Sequence, residues 1–296
     1  MTIKIGPPME EPTPEVLGRV RTEWVDPITE APADTQYCLY PTPARGADAQ
    51  GSYLIYLPPG YAQDHSRRFP VIYWLHGGFG NARQGAWAVQ NYAAAMQARQ
   101  MPETIIVLVQ ALPVGWYVDS RDGERPIEQV IIKNLLPHID ATYRTLAPKA
   151  ARGIEGHSMG GYGALHLGLK YPALFGAIFS VAPSVLRDMN AEPEFRTFDT
   201  FAGDQAYYEE VGPWNLTRLN ARILSHNRTL LKLIIGKEDG HLVSTLDEFH
   251  AWLINLGIDH EYVVIPGAGH DFAETILGDG ENTFKFWANA FRDFWR

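Results

Sequence analysis

From Pro70 onward the chain repeats one pattern: a short apolar run rich in β-branched residues, then a longer stretch with helical spacing, then another run. The runs fall at 71–75, 104–110, 151–155, 176–181, 230–235 and 261–265, and helical stretches at 84–100, 126–143, 159–171, 242–256 and 282–294 lie between or after them. Strands buried on both faces read as continuous apolar runs, and parallel strands need a crossover, usually a helix. The alternation therefore predicts an α/β chain with a mostly parallel central sheet and helices on both faces. Ahead of it, 16–25, 35–40 and 51–57 mix β-branched, aromatic and polar residues between Pro and Gly, and are expected as antiparallel strands at the sheet edge. Residues 1–13, rich in Pro and Glu, are expected as an N-terminal arm. The stretch 183–227 has no clean period and carries Phe195, Phe198, Phe201, Tyr207, Tyr208 and Trp214; it is expected as a small cap insertion.

With 296 residues, 46% of them hydrophobic, and no Ser/Gly linker or charge block, the chain is expected to form one domain over 1–296. The net charge of −9 is spread along the sequence without a Lys/Arg stripe, which argues against nucleic acid or an anionic membrane as partner. Cys38 is the sole cysteine, so no intrachain disulfide can form. The N-terminal residues carry no apolar signal-peptide core and no run reaches membrane-span length. A cytoplasmic protein is expected, or a secreted one if a signal peptide is missing from this sequence; the oligomeric state is left open, a homodimer included.

Chemistry enters at Gly156-His157-Ser158-Met159-Gly160-Gly161, between the run at 151–155 and the helical stretch at 159–171. A serine on a sharp strand-to-helix turn needs glycines on both sides, because the two elements come too close for side chains. The following helix points its positive dipole end at the serine, favouring the negative charge that develops when Ser158 attacks a carbonyl. The loop after the first parallel run, His76-Gly77-Gly78-Phe79-Gly80-Asn81, lets backbone N–H groups approach a substrate oxygen. Gly78 is assigned as one oxyanion donor, with Phe79 as second choice, and Met159 as the other. Without a following Gly-Lys-Ser/Thr, the loop is not a nucleotide cradle.

The acid belongs just past a late strand, where Gly236-Lys237-Glu238-Asp239-Gly240 offers two carboxylates. Adjacent residues there point in different directions, and Gly240 frees the turn after Asp239, so Asp239 is chosen. Among ten histidines, His270 follows the last strand in Pro266-Gly267-Ala268-Gly269-His270, on the sheet edge where doubly wound folds keep their sites. His157 is expected to pack under the turn, His76 to stabilise its loop, and His138, His166 and His250 to serve as helix residues; His241 is kept as a secondary contact near the site. The expected chemistry is acyl transfer by Ser158, with His270 as base and Asp239 orienting it. No His/Cys/Asp cluster has metal-ligand spacing, so neither metal nor cofactor is expected. Trp116 and Tyr117, after the run at 104–110, together with Trp214, are candidate substrate-binding residues.

The elbow Gly156-His157-Ser158-Met159-Gly160-Gly161-Tyr162-Gly163-Ala164-Leu165 resembles that of the Putative esterase family of α/β-hydrolases, which includes esterase D (S-formylglutathione hydrolase), feruloyl, acetylxylan and enterochelin esterases and the mycolyltransferases. Leu75-His76-Gly77-Gly78, Gly115-Trp116-Tyr117-Val118-Asp119-Ser120, Phe201-Ala202-Gly203-Asp204, Pro213-Trp214, Gly236-Lys237-Glu238-Asp239 and Gly267-Ala268-Gly269-His270-Asp271-Phe272 follow in the family's order. The resemblance thus covers roughly residues 51–296 and implies the α/β-hydrolase fold, the same triad and the same oxyanion donors. The family is broad in substrate. The function expected is therefore a serine carboxylesterase acting on short-acyl or arylacyl small-molecule esters, with a feruloyl or acetylxylan esterase acting on plant-wall fragments, or an acyltransferase with the same triad, as alternatives. A binding scaffold without activity would lack a triad member, and all three are present.

Overall fold

The computed structural model describes residues 13–28, 30–226 and 229–295; the expected arm, apart from Thr13, and Asn227 at the end of the expected cap lie outside them. Eight strands form one sheet: β1 (Gln36–Pro41), β2 (Gln50–Tyr56), β3 (Val71–Leu75), β4 (Ile105–Val109), β5 (Arg152–His157), β6 (Ala177–Val181), β7 (Leu230–Gly236) and β8 (Glu261–Ile265). Their spatial order is β1-β2-β4-β3-β5-β6-β7-β8. β1 and β2 pair antiparallel with their neighbours and the other six run parallel, so the central apolar runs became the buried strands that their patterning implied. This is the sheet of an α/β-hydrolase fold.

The helices are α1 (Pro14–Thr22), α2 (Pro59–Gln63), α3 (Ala86–Gln97), α4 (Ile127–Gln129), α5 (Leu136–Thr142), α6 (Met159–Lys170), α7 (Glu194–Phe201), α8 (Gln205–Val211), α9 (Pro213–His226), α10 (His241–Asn255), α11 (Phe272–Asp279) and α12 (Glu281–Ala290). Where 16–25 was expected as an edge strand, the chain forms α1 instead. Pro14 stands in its first turn and Thr13 Oγ1 accepts from Val16 N–H at 3.4 Å, start signals that outweigh the β-branched residues. The single helix expected over 126–143 is broken: a π-helical segment, Val130–Leu135, separates α4 from α5. Pro137 explains it, since it has no N–H for the α ladder and its ring would strike the carbonyl four residues back.

Residues on the central strands β5, β6 and β7 alternate between two helical layers. Ser180 Oγ and Gly161 O meet at 2.9 Å on the α6 side of the sheet. On the other side, Glu155 accepts from Tyr92 of α3 and Lys232 Nζ donates to Asp279 of α11 at 2.6 Å. Burial pushes the Glu155 carboxyl up to about 8, against the weaker pull of the Tyr92 hydrogen bond and the Lys232 charge. The native state therefore holds a proton there that the unfolded chain releases near pH 4.5. The resulting stability is complete below that value and is lost as pH rises through about 8, by an amount on the order of a few kcal/mol. Denaturant titrations of wild type and Glu155→Gln between pH 5 and 8 are expected to converge with rising acidity and separate with rising pH, the wild type falling relative to the variant. Parallel stability curves would contradict an ionisable Glu155 in this environment.

Candidate active site

All the chemistry-bearing loops leave the same, C-terminal edge of the parallel strands. Leu75 is paired with Gly156, so the loop after β3 and the turn after β5 are neighbours, and Gly236 is paired with Ile265, so the loops after β7 and β8 are neighbours. At the turn, Ser158 has φ 59° and ψ −119°, a strained conformation for a non-glycine residue, and is 7% exposed. Ser158 N–H is tied to the Val181 carbonyl at 2.9 Å. The glycines are there for close approach: a Cβ on Gly156 would sit 2.2 Å from Gly160 O, and one on Gly160 would sit 2.1 Å from Leu75 O.

His270 Nε2 lies 2.9 Å from Ser158 Oγ, and His270 Nδ1 lies 2.8 Å from Asp239 Oδ2. The residues chosen from three separate loops thus form one hydrogen-bonded chain, with Asp239 buried and the imidazole partly open to solvent. The acid and histidine loops are zipped together: Lys237 N–H and Glu238 N–H donate to Ile265 and Ala268 carbonyls at 2.8 and 2.9 Å. Gly236 permits it, because a Cβ there would lie 2.3 Å from Ala268 O. Glu238, the rejected carboxylate, is exposed. His241 opens α10 and is also exposed, with no triad contact among the described residues.

His157 packs against the site more closely than its position beside the serine indicated. Its ring centroid lies 4.9 Å from that of His270 and 5.8 Å from Phe272. Burial first, and the charge of a protonated His270 second, hold it down at about 3, so it stays a neutral plate beside the working imidazole. His76 is fully buried, and burial lowers its pKa. Nδ1–H donates to Gly77 O at 2.9 Å while Nε2 accepts from Ala111 N–H at 3.3 Å, which fixes the glycine loop. His166 is a buried partner of Glu128, at 2.7 Å.

Within the glycine loop the N–H groups are not equivalent. Gly77 N–H donates to Gln84 Oε1 at 3.1 Å, Gly80 N–H to Gly77 O at 3.1 Å, and Phe79 N–H to Pro113 O at 2.7 Å. Phe79 is thus occupied and unsuited to the second-choice role given it above. Gly78 N–H has no protein acceptor among the described residues, and Met159 N–H, first in α6, has no intrahelical one. Gly77 faces the serine, where a Cβ on it would lie 3.5 Å from Ser158 Cβ.

The aromatic expectations fare differently. Trp116 and Tyr117 are fully buried, Trp116 Nε1 donating to Arg196 O at 2.6 Å and Tyr117 OH to His76 O at 2.9 Å. They pack the loop after β4 instead of lining an open pocket, and both have positive φ, 51° and 61°. Trp214 borders a cavity of about 560 Å³ with Tyr162, Leu186, Arg187, Tyr208 and Trp252, but none of Ser158, Asp239 and His270 lines it. Trp116→Ala is therefore expected to destabilise the fold by about 3–5 kcal/mol and to lower kcat/KM for an aryl and an acetyl ester by similar factors. Thermal denaturation and the ratio of the two rates check this; unchanged stability with a large shift in ratio would return Trp116 to the pocket wall.

The neighbourhood of this fold is populated by esterases. "Esterase Rv1288" of Mycobacterium tuberculosis is 29% identical over 241 residues, covering 74% of this chain and 52% of the relative, so the chain spans about half the length of that curated relative. A solved structure titled "ferulic acid esterase" superposes with a TM-score of 0.71 at 19% identity, covering 88% of this chain and 99% of the other. The S-formylglutathione hydrolase FrmB of Staphylococcus aureus does so with a TM-score of 0.67 at 15% identity, covering 86% and 99%. These likenesses concern the fold. Sequence carries the family: the Putative esterase pattern matches residues 49–292, a span that includes the elbow and Gly78, Ser158, Met159, Asp239 and His270, and the chain belongs to that family.

Proposed function

We propose that this chain is a serine carboxylesterase that hydrolyses short-acyl or arylacyl esters through an acyl-enzyme on Ser158. The observation that carries the proposal is the hydrogen-bonded chain from Ser158 Oγ through His270 to Asp239, at 2.9 and 2.8 Å, beside two backbone N–H groups without protein acceptors among the described residues. Neutral His270 accepts the serine proton at Nε2 as Oγ bonds to the ester carbon, while Nδ1–H donates to Asp239, which stabilises the imidazolium. The carbonyl oxygen becomes an oxyanion held by Gly78 and Met159 N–H, each donor typically worth ~3 kcal/mol. The tetrahedral adduct collapses, the C–O bond to the alcohol breaks, and His270 gives the alcohol its proton. Water then repeats the sequence to release the acid and regenerate Ser158. The chain's own groups supply every proton transfer in this scheme.

Helix α7 and the segment leading to it stand over the glycine loop, which supports reading the 183–227 stretch as a wall of the substrate site: Phe195 packs on Phe79 with centroids 5.9 Å apart, and Thr200 Oγ1 donates to Val114 O at 3.2 Å. A feruloyl esterase is the second reading, favoured by the ferulic acid esterases among the fold's neighbours. Rates on p-nitrophenyl esters of rising chain length and on methyl ferulate, each with and without an added alcohol and with EDTA, test these readings. Short esters are expected to turn over fastest, with EDTA having no effect. A dominant rate on methyl ferulate selects the feruloyl reading, new ester in the presence of alcohol selects acyl transfer, and no turnover of any ester overturns the proposal.

A further inference from the structure

Arg196, in the first turn of α7, reaches the glycine loop and has no part in the mechanism above. A methyl group built on Gly78 would sit 3.1 Å from Arg196 Nη2, so the guanidinium lies against the residue whose N–H is proposed to hold the oxyanion. The arginine is well fixed there. Its carbonyl accepts from Trp116 Nε1, the preceding Phe195 packs on Phe79, and Nη1 lies 3.1 Å from Glu192 Oε2. Glu192 is anchored in turn by Ser184 Oγ–H, which donates to its other oxygen at 2.5 Å.

This pairing uses only one side of the guanidinium. Nε is buried and has no hydrogen-bond partner among the described residues, and Nη2 makes no hydrogen bond to a protein acceptor among them. Nε has no open surface to offer a ligand, so Nη2, the nitrogen that lies against Gly78, is the donor left for one. Glu192 meets the opposite nitrogen, Nη1, balancing the charge in the free enzyme while leaving Nη2 beside the oxyanion loop.

We propose that Arg196 is a carboxylate-binding subsite: the preferred esters carry a second, ionised carboxyl group a few atoms from the scissile ester, held by Arg196 Nη2 while Gly78 and Met159 hold the ester oxygen. The subsite rests on the serine esterase reading and gives it a substrate class. Two pairs of esters test it, one with the carboxylate on the acyl side (monomethyl adipate against methyl hexanoate) and one with it on the alcohol side (4-acetoxybutanoate against butyl acetate). Acid release is followed at constant pH and each pair is reported as a ratio of kcat/KM.

In wild type the charged member of one pair is expected to exceed its neutral partner by about ten- to a hundred-fold, the range of a lost or gained charge-assisted contact. Arg196→Gln should bring that ratio close to unity, and Arg196→Lys, which keeps the charge but places it on a different donor geometry, should leave only part of it. Because each ratio is taken within one variant, a general loss of folded enzyme cancels. Ratios near unity in both pairs for wild type, or a charged-ester preference that survives Arg196→Gln, would overturn the subsite. Failure of the underlying reading looks different: turnover of the neutral esters is absent, or survives Ser158→Ala, and the subsite falls with it.

Discussion

Ser158→Ala is expected to lower kcat on any ester substrate by about four orders of magnitude or more, leaving only the residual rate that the oxyanion donors and substrate binding supply. In the proposed mechanism Ser158 Oγ forms the acyl bond, and two neighbouring groups are otherwise engaged, Ser180 Oγ with Gly161 O and the His157 ring against that of His270. Folding should be unaffected. Ser158 holds its turn through backbone bonds, N–H to Val181 O and carbonyl to Tyr162 N–H, and its side chain contributes one hydrogen bond, to His270. Alanine carries the same cost as serine at a positive φ, so the strain at the elbow is unchanged. The variant should melt with wild type and no longer be labelled by a serine-directed fluorophosphonate. Activity retained by a correctly folded Ser158→Ala protein would sink the proposed mechanism, and labelling retained at another residue would identify the nucleophile that replaces it.

The sheet and the positions of the site loops could be read in advance because they depend on local, one-dimensional signals. Six apolar runs match six parallel strands within a residue or two, since strands buried along their length, as β3 to β7 nearly are, have no polar alternation to blur them. Ser158, Asp239 and His270 were legible because each follows such a run and sits among glycines. Helix starts are also written locally. Thr13-Pro14 is a helix start, and Asp271 with Glu274 three residues later is another: Asp271 Oδ1 accepts from Glu274 N–H at 2.8 Å and caps α11, a helix not expected from the sequence. What stayed hidden depends on which side of a residue meets which neighbour. Trp116 and Tyr117 have the composition of a pocket wall and the burial of a core. Phe79 has the right sequence position for an oxyanion donor, yet its N–H is used by Pro113, more than thirty residues away. Arg196 is inconspicuous in a stretch without period, because one arginine on a short helix reads as a solvated charge until the fold lays it against Gly78.

Asp239→Asn should cost about four orders of magnitude in kcat, by analogy with the serine-protease triad, while Glu238→Gln should cost at most a few-fold. The two carboxylates are adjacent, yet the loop gives them opposite surroundings. Hydrogen bonds from Lys237 and Glu238 N–H to the β8 loop, with Gly236 tucked against Ala268 O, set the backbone so that Asp239 turns inward to His270 and Glu238 outward to water. An aspartate at 8% exposure, 2.8 Å from Nδ1, can only accept; it holds the proton on Nδ1 and leaves Nε2 with a lone pair aimed at Ser158 Oγ. An asparagine can instead donate to Nδ1, which favours the tautomer with its proton on Nε2, and that nitrogen then cannot take the serine proton. It also removes the negative charge that stabilises the imidazolium during attack. Glu238→Gln changes neither the tautomer nor any charge facing the ring. Measuring kcat for both variants on one ester at one pH, alongside their melting temperatures, decides the matter: a larger loss from Glu238→Gln in folded protein would mean that the acid of the triad has been misassigned.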